Sequence, residues 1–490
     1  MHLDPSTPVA RPVPSAEAVE PVTLARKLGL FDMTMLVMGS VIGVGIFAMP
    51  SVVAKIVHVP GLALLAWVLA GLVMLAGSLV YADLARRRPH VGGQYAFLRE
   101  AYHPAVAFVY GWALLWIIQS GGMASVAVVF AKYLGELVNG PAGWAALSGT
   151  LGGLNPATAA RVGEAIVAAV AIVCLTAVNC AGVRAGSTTQ NIFMILKILA
   201  ILMLVLCGLL VIHLLNLRSG PEAGGAASAS GWAMVTLFGA ALVQVFFPYG
   251  GWHTTTFVAG EVREPRRTLP RGLVLGVSGV IILYLAINVV CLGVLGVDEL
   301  ARNDRPAAAV MERALGATGA VLISAGITIS AIGFLSQAML TSPRVYYAMA
   351  RDGLFLPVVA SVHPKTRAPV VAVLLQGLFA MVIALLGTFE QIVNYVMIVE
   401  MTFWSLTALS LFIIRRRDAA AGQPGSGIPG HPWTTLLFTA VNVALILNQL
   451  YNYPVNSALD LGIALLGVPV YFGWRWLRAP AKVNAGPSVS

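Results

Sequence analysis

Long apolar stretches, separated by short polar connections that carry arginine, run along almost the whole chain. Measured against the roughly 20 residues a helix needs to cross hydrocarbon, they predict about twelve spans, near residues 32–57, 61–85, 104–136, 163–181, 188–215, 233–259, 272–296, 317–346, 369–388, 392–414, 433–451 and 458–478. An even number puts both termini on one face. The outer connections 137–162, 216–232 and 297–316 are poor in Lys and Arg; 216–232 is rich in Gly, Ala and Ser and reads as flexible. Mixed charges in 298–313 suggest a short surface helix.

Two of these stretches are interrupted in the middle. Gly39-Ser40-Val41-Ile42-Gly43-Val44-Gly45-Ile46-Phe47 lies in the first, and Phe247-Pro248-Tyr249-Gly250-Gly251-Trp252-His253 in the sixth. In hydrocarbon every backbone N–H and C=O needs a partner, so a segment that unwinds at membrane depth lines a cavity or touches a ligand. Glycine permits the turns, and proline removes a donor. Breaks five spans apart imply two five-helix units of opposite orientation, the architecture of a secondary transporter. The expected fold is an all-α polytopic membrane protein with a five-plus-five inverted repeat and broken helices 1 and 6. The units are residues 30–215 and 233–414, followed by two extra C-terminal helices in 433–478, with tails at 1–29 and 479–490.

Composition strengthens the membrane reading. Hydrophobic residues make up 58% and charged residues only 10%, with a mean hydropathy of +0.85, against about 25% charged in soluble domains. The net charge of +10 does not indicate nucleic acid, because the basic residues are dispersed: 22 of the 30 Lys and Arg fall on one predicted side and 6 on the other. That skew marks the richer side as cytoplasmic. The expected location is the cell membrane, multi-pass, with both termini cytoplasmic. No cleavable signal peptide is read, and residues 1–29 are expected as a disordered tail with a short amphipathic approach at 24–30. Cys174, Cys180, Cys207 and Cys291 lie in or beside apolar segments without metal-ligand spacing. Neither a disulfide framework, a metal nor a cofactor is expected.

At the first break, free amides near Gly43, Val44 and Gly45 would sit at a helix N-terminus, where the dipole suits a carboxylate. At the second, unpaired carbonyls of Phe247, Pro248 and Gly250, with that of Val41, would face an ammonium. Amides on one side and carbonyls on the other match the zwitterion of a free α-amino acid. The alternative is that these glycines serve close helix packing alone.

Residues 39–47 resemble the first-helix signature of the amino acid–polyamine–organocation superfamily, G-S-x-I-G-x-G-I-F, and residues 247–253 resemble the F-A-Y-G-G-W-N stretch of its L-type amino acid transporter branch, which includes bacterial serine/threonine-type exchangers. Three further segments agree: Pro89-His90-Val91-Gly92-Gly93-Gln94-Tyr95-Ala96-Phe97-Leu98-Arg99-Glu100-Ala101, Glu264-Pro265-Arg266-Arg267-Thr268-Leu269-Pro270-Arg271, and Ser342-Pro343-Arg344-Val345-Tyr346-Tyr347-Ala348-Met349-Ala350-Arg351-Asp352-Gly353. The resemblance spans residues 28–477 and implies the five-plus-five fold with alternating-access amino acid transport. Three positions depart from the pattern: Val44 replaces a serine, Pro248 an alanine and His253 an asparagine.

Lys197 lies near the middle of the fifth span, where a cation costs at least ~2.5–3.5 kcal/mol. The resemblance implies a tethered cation in the place where sodium-coupled relatives bind sodium, donating to carbonyls near Gly43 and to Ser330; a lysine paired structurally within the bundle is the alternative. The tethered reading disfavours sodium coupling and leaves exchange and proton symport open. Glu400 in the tenth span is a proton carrier, a determinant for cationic substrates, or a carboxylate near the outer surface or paired with a neighbour. His253 either contacts substrate or titrates, or is a hydrogen-bonded packing residue. Trp404 falls where the resemblance implies an aromatic flanking the distal cavity, though some of the ten tryptophans serve as interfacial anchors. His90, His103, His363 and His431 receive no role.

The expected function is exchange or proton-coupled import of small or medium neutral L-amino acids, with the lipid bilayer as surroundings. A carrier for cationic amino acids or polyamines is the runner-up. A membrane enzyme would need a catalytic constellation such as H-E-x-x-H or G-x-S-x-G, and a channel would need a filter or charged rings; neither appears. The resemblance extends to eukaryotic relatives that link to a glycoprotein through an outer-loop cysteine. None occurs in residues 138–162, so no such disulfide-linked subunit is expected.

Overall fold

The computed structural model describes residues 26–147, 155–216, 231–303, 305–386, 389–423, 427–428 and 430–478. The polar tail before residue 26, most of the 216–232 connection and the stretch from 479 onward lie outside the described residues. Apart from one isolated bridge, every regular element among the described residues is helical.

The chain begins with α1 (Leu30–Val41) and α2 (Gly45–Val57), then α3 (Pro60–Arg87), α4 (Gln94–Ala101) and α5 (Pro104–Ala113). A π turn, Leu114–Ile118, joins α5 to α6 (Gln119–Asn139), and α7 (Pro156–Cys180) and α8 (Val183–Asn216) follow. Next come α9 (Trp232–Tyr249), a 3-10 helix Trp252–Glu261, α10 (Pro265–Arg302), α11 (Pro306–Thr341) and α12 (Pro343–Arg351). The last helices are α13 (Val370–Leu386), α14 (Phe389–Ala420), α15 (Trp433–Asn452), α16 (Pro454–Leu465) and α17 (Gly467–Arg478).

Local chemistry sets many of these starts. Proline occupies the first position of α3, α5, α7, α10, α11, α12 and α16, where its missing N–H costs no hydrogen bond and its φ is already helical. Asn155 Oδ1 accepts from the Thr158 amide at 2.8 Å, a side-chain cap. At the head of α1 the Gly29 amide donates to Asp32 Oδ2 at 2.9 Å.

Among the described residues ten spans are long and apolar enough to cross a bilayer, and the bent pair α1–α2 makes an eleventh. The expected ninth span is α13, with 17 residues at the short end of what crossing requires. Large apolar side chains lie exposed on the bundle's outside, among them Leu206, Ile282, Leu386 and Trp476. A soluble protein buries such surface, so lipid is the medium this exterior fits. The expected surface helix at 298–313 is instead the end of α10 beyond a kink at Gly296 and the start of α11 before one at Gly316. The last span is divided between α16 and α17.

Small residues let α10 approach α1: a Cβ on Gly272 would lie 2.8 Å from Met33 Cβ, and one on Gly276 would lie 2.5 Å from Val37 Cβ. The chain just before α1 is also tied to the end of the 3-10 helix. Lys27 and Leu28 donate their amides to Glu261 O at 2.9 and 3.0 Å, and Arg263 donates back to Leu28 O at 2.8 Å.

Candidate functional site

Both expected interruptions are present. α1 ends at Val41, α2 starts at Gly45, and their axes differ by 41°. α9 ends at Tyr249, so the second interruption is Gly250-Gly251, one step later than the proline suggested; Phe247 and Pro248 remain in its last turn. Gly251 has φ +93°, and a Cβ there would lie 2.4 Å from Ser40 O. The two breaks therefore touch backbone to backbone, and only glycine fits.

The first break leaves amides exposed to the interior. Ile42 N bonds Met38 O, Gly43 N bonds Val41 O and Phe47 N bonds Val44 O. The amides of Val44, Gly45 and Ile46 have no acceptor among the described residues. They form the N-terminus of α2, where partial positive charge concentrates.

The carbonyls differ from the sequence expectation. Tyr284 Oη donates to Val41 O at 2.9 Å and Pro248 O at 3.0 Å, and Phe247 O accepts from Gly250 N at 3.0 Å. Three of the four carbonyls expected to be unpaired thus already have donors. Gly250 O has none among the described residues. One phenol proton serves two acceptors, so Tyr284 bridges the breaks without filling both carbonyls.

Lys197 is buried at 1% exposure. Its Nζ donates to Ile42 O at 2.5 Å and Gly39 O at 3.4 Å, while Ser330 Oγ donates to Gly43 O at 3.1 Å. The lysine and Ser330 therefore address neighbouring carbonyls of one break rather than each other. Room for the lysine comes from Gly333, where a Cβ would sit 2.6 Å from Lys197 Cε.

A cavity of ≈ 70 Å³ lies between the breaks. Its wall includes Ser40, Val41, Gly43, Val44 and Gly45 from the first break, and Phe247, Pro248, Gly250, Gly251 and Thr254 from the second. Gln119 from α6, Phe334 and Gln337 from α11, and Val396 and Glu400 from α14 also line it, with Ile118, Gly122 and Val126 beside Gln119. Gln337 Nε2 donates to Thr254 Oγ1 at 3.1 Å, so the polar wall is cross-linked. Gln119 follows directly on the π turn, an interruption that re-aims side chains and recurs at functional sites.

His253 and Trp404, expected to contact substrate, are absent from this wall. Both are buried behind it in an aromatic cluster with Tyr81, Trp252 and Phe438. Trp404 Nε1 donates to His253 Nδ1 at 3.1 Å. A neutral His253 therefore carries its proton on Nε2, which points towards Glu400 Oε1 at 3.7 Å. Glu400 does face the cavity, at 8% exposure. The sequence position next to a break located His253 correctly but not the direction of its ring.

The model of the amino acid permease family matches residues 28–473. The chain belongs to the amino acid permease family. Its relatives include the mouse large neutral amino acids transporter small subunit 2, 28% identical over 469 residues, covering 94% of this chain and 84% of that protein. The serine/threonine exchanger SteT of Bacillus subtilis is also 28% identical, covering 93% of this chain and 98% of its own length. The mouse Asc-type amino acid transporter 1 is 28% identical as well, over 95% of this chain and 84% of that protein. This permease is therefore a multi-pass membrane transporter of amino acids and not an enzyme.

Proposed function

We propose that this permease carries small or medium neutral L-amino acids by alternating access, through exchange or proton coupling and without sodium. The observation that carries the reading is the pairing of free amides of Val44 and Gly45 with the free carbonyl of Gly250 around one small cavity. The amide end suits a carboxylate and the carboxyl end of α9 suits an ammonium. Gln119, Gln337 and Phe334 are then left to meet the variable side chain. The names of the relatives, neutral amino acid carriers and a serine/threonine exchanger, support the same class.

In this reading residues 30–215 and 233–414 are the two inverted units, each opened by its broken helix, and 433–478 is peripheral. The lysine amine in the first break does the work a sodium ion would do there, which is why sodium is not required. Both termini lie in the cytoplasm, on the arginine-rich side. With no cysteine in residues 138–162, no disulfide-linked subunit is proposed.

Counterflow in proteoliposomes tests the reading. Vesicles preloaded with an unlabelled neutral amino acid should accumulate the labelled compound faster than empty vesicles, equally well when choline replaces sodium. Equal rates in loaded and empty vesicles across the neutral amino acids would remove it.

A further inference from the structure

A second concavity lies apart from the one between the breaks. It is a cleft of ≈ 760 Å³ at the arginine-rich end, between the end of α3, the start of α10 and the end of α14. Among the described residues Arg86, Arg87, Arg88, Arg266, Arg267 and Arg271 line it, with Asp83 and Asp418 as the acidic lining residues.

Those two aspartates fix the arginines of α3 and α14 in place. Asp83 accepts from Arg87 Nε at 3.0 Å and from Arg415 Nε at 2.8 Å. Asp418 accepts from Arg87 Nη1 at 2.7 Å and Arg88 Nη2 at 2.6 Å. Arg88 Nε also donates to Glu100 Oε1 at 2.5 Å, so Arg87, Arg88 and Arg415 are balanced by three carboxylates and the cleft's surplus positive charge lies with the arginines of α10. Arg266 and Arg271 are exposed and have no carboxylate partner among the described residues. They sit in the first two turns of a 38-residue helix, whose N-terminal dipole adds positive potential at the same place.

We infer that this cleft binds a phosphate-bearing anion, held by Arg266 and Arg271 against the fixed forks of Arg87 and Arg88. Guanidinium is the cation best matched to phosphate, because its planar fork donates two parallel hydrogen bonds. Basic pockets between spanning helices are also where anionic lipid headgroups lodge. Here the lipid source has a further feature in its favour. Leu275 and Ile282 follow Arg271 at helical spacing on one face of α10 and are 53% and 68% exposed. A headgroup on Arg271 would thus lay its acyl chain along that face.

Thermal melts of the purified full chain in neutral detergent test the assignment and its source. One arm titrates phosphatidylglycerol against phosphatidylcholine; the other titrates inorganic phosphate at constant ionic strength. The variant is Arg266→Gln with Arg271→Gln, two exposed positions, with its own melt in phosphatidylcholine as the folding control. The expected result is a concentration-dependent rise in Tm with phosphatidylglycerol. The half-saturating concentration should increase at least fivefold in the variant, a factor equivalent to the ~1 kcal/mol of one basic side chain. A rise in the lipid arm alone identifies a headgroup; a rise with inorganic phosphate as well identifies the phosphate group itself as sufficient. No rise above phosphatidylcholine in either arm, or equal responses from the variant and the natural chain, overturns the site.

Discussion

Replacing Lys197 by methionine removes an ammonium from the first break while keeping most of its volume. In the structure this amine donates to Ile42 O at 2.5 Å and Gly39 O at 3.4 Å, inside a fully buried pocket. A hydrogen bond from a charged donor contributes about 1.5–3 kcal/mol, and a buried acceptor left without a donor costs about 1–3 kcal/mol. Because the 3.4 Å contact is weak, we take only the Ile42 bond in full, which gives ~3 kcal/mol lost from the bent arrangement. Every 1.4 kcal/mol is a factor of ten, so the fraction of molecules with α1 and α2 correctly set should fall about a hundredfold. Counterflow Vmax in Lys197→Met should accordingly drop by one to two orders of magnitude. Membrane insertion and the Tm of the detergent-purified protein should fall far less, because the surrounding spans are untouched. Natural rates from a folded Lys197→Met protein would refute the reasoning. A strict new dependence on sodium, with recovered rate, would instead sharpen it by showing that a diffusible cation can take the amine's place.

Three further outcomes are expected. Gly45→Leu should abolish uptake while leaving insertion intact, since even its Cβ would lie 3.1 Å from Pro248 Cβ and the rest of the side chain would enter the cavity; undiminished uptake removes the pocket. Glu261→Gln should lower stability by about 3–5 kcal/mol, because it leaves Arg344, bonded to Glu261 at 2.8 and 3.4 Å and 1% exposed, as an uncompensated buried charge; an unchanged melt in detergent would show the pair to be dispensable. Glu400→Gln should flatten the pH dependence of uptake if this carboxyl carries the coupled proton, and an unaltered pH profile excludes that role.

The breaks were legible because glycine clusters inside apolar runs have few other physical uses, and Lys197 was legible because a lone cation in hydrocarbon is costly. Tyr284 was not. It lies in an otherwise ordinary apolar span, 243 positions from Val41 and 36 from Pro248, and nothing local marks its hydroxyl as a bridge. Gln119 and Gln337 were hidden for a similar reason: their meaning comes from a π turn and from helix rotation, which apolar periodicity does not resolve. Adjacency to the break suggested His253 for the cavity, with packing as its alternative, and the resemblance suggested Trp404; the 3-10 winding after Gly251 turns His253 back into the aromatic cluster, where Trp404 donates to it. The arginine connections suggested an orientation but gave no hint that Asp83 and Asp418 gather them around a cleft.

The short bridge that sews Leu28 to Glu261 and Arg263 has a mechanical consequence. The strip of chain leading into the first spanning segment is stitched, by three main-chain bonds of about 1 kcal/mol each, to the strip leaving the sixth. Neither can swing outwards alone without tearing that seam. If this end of the molecule opens with the seam whole, the two broken segments must hinge as a pair, and a crosslink placed between Leu28 and Val262 should leave turnover intact.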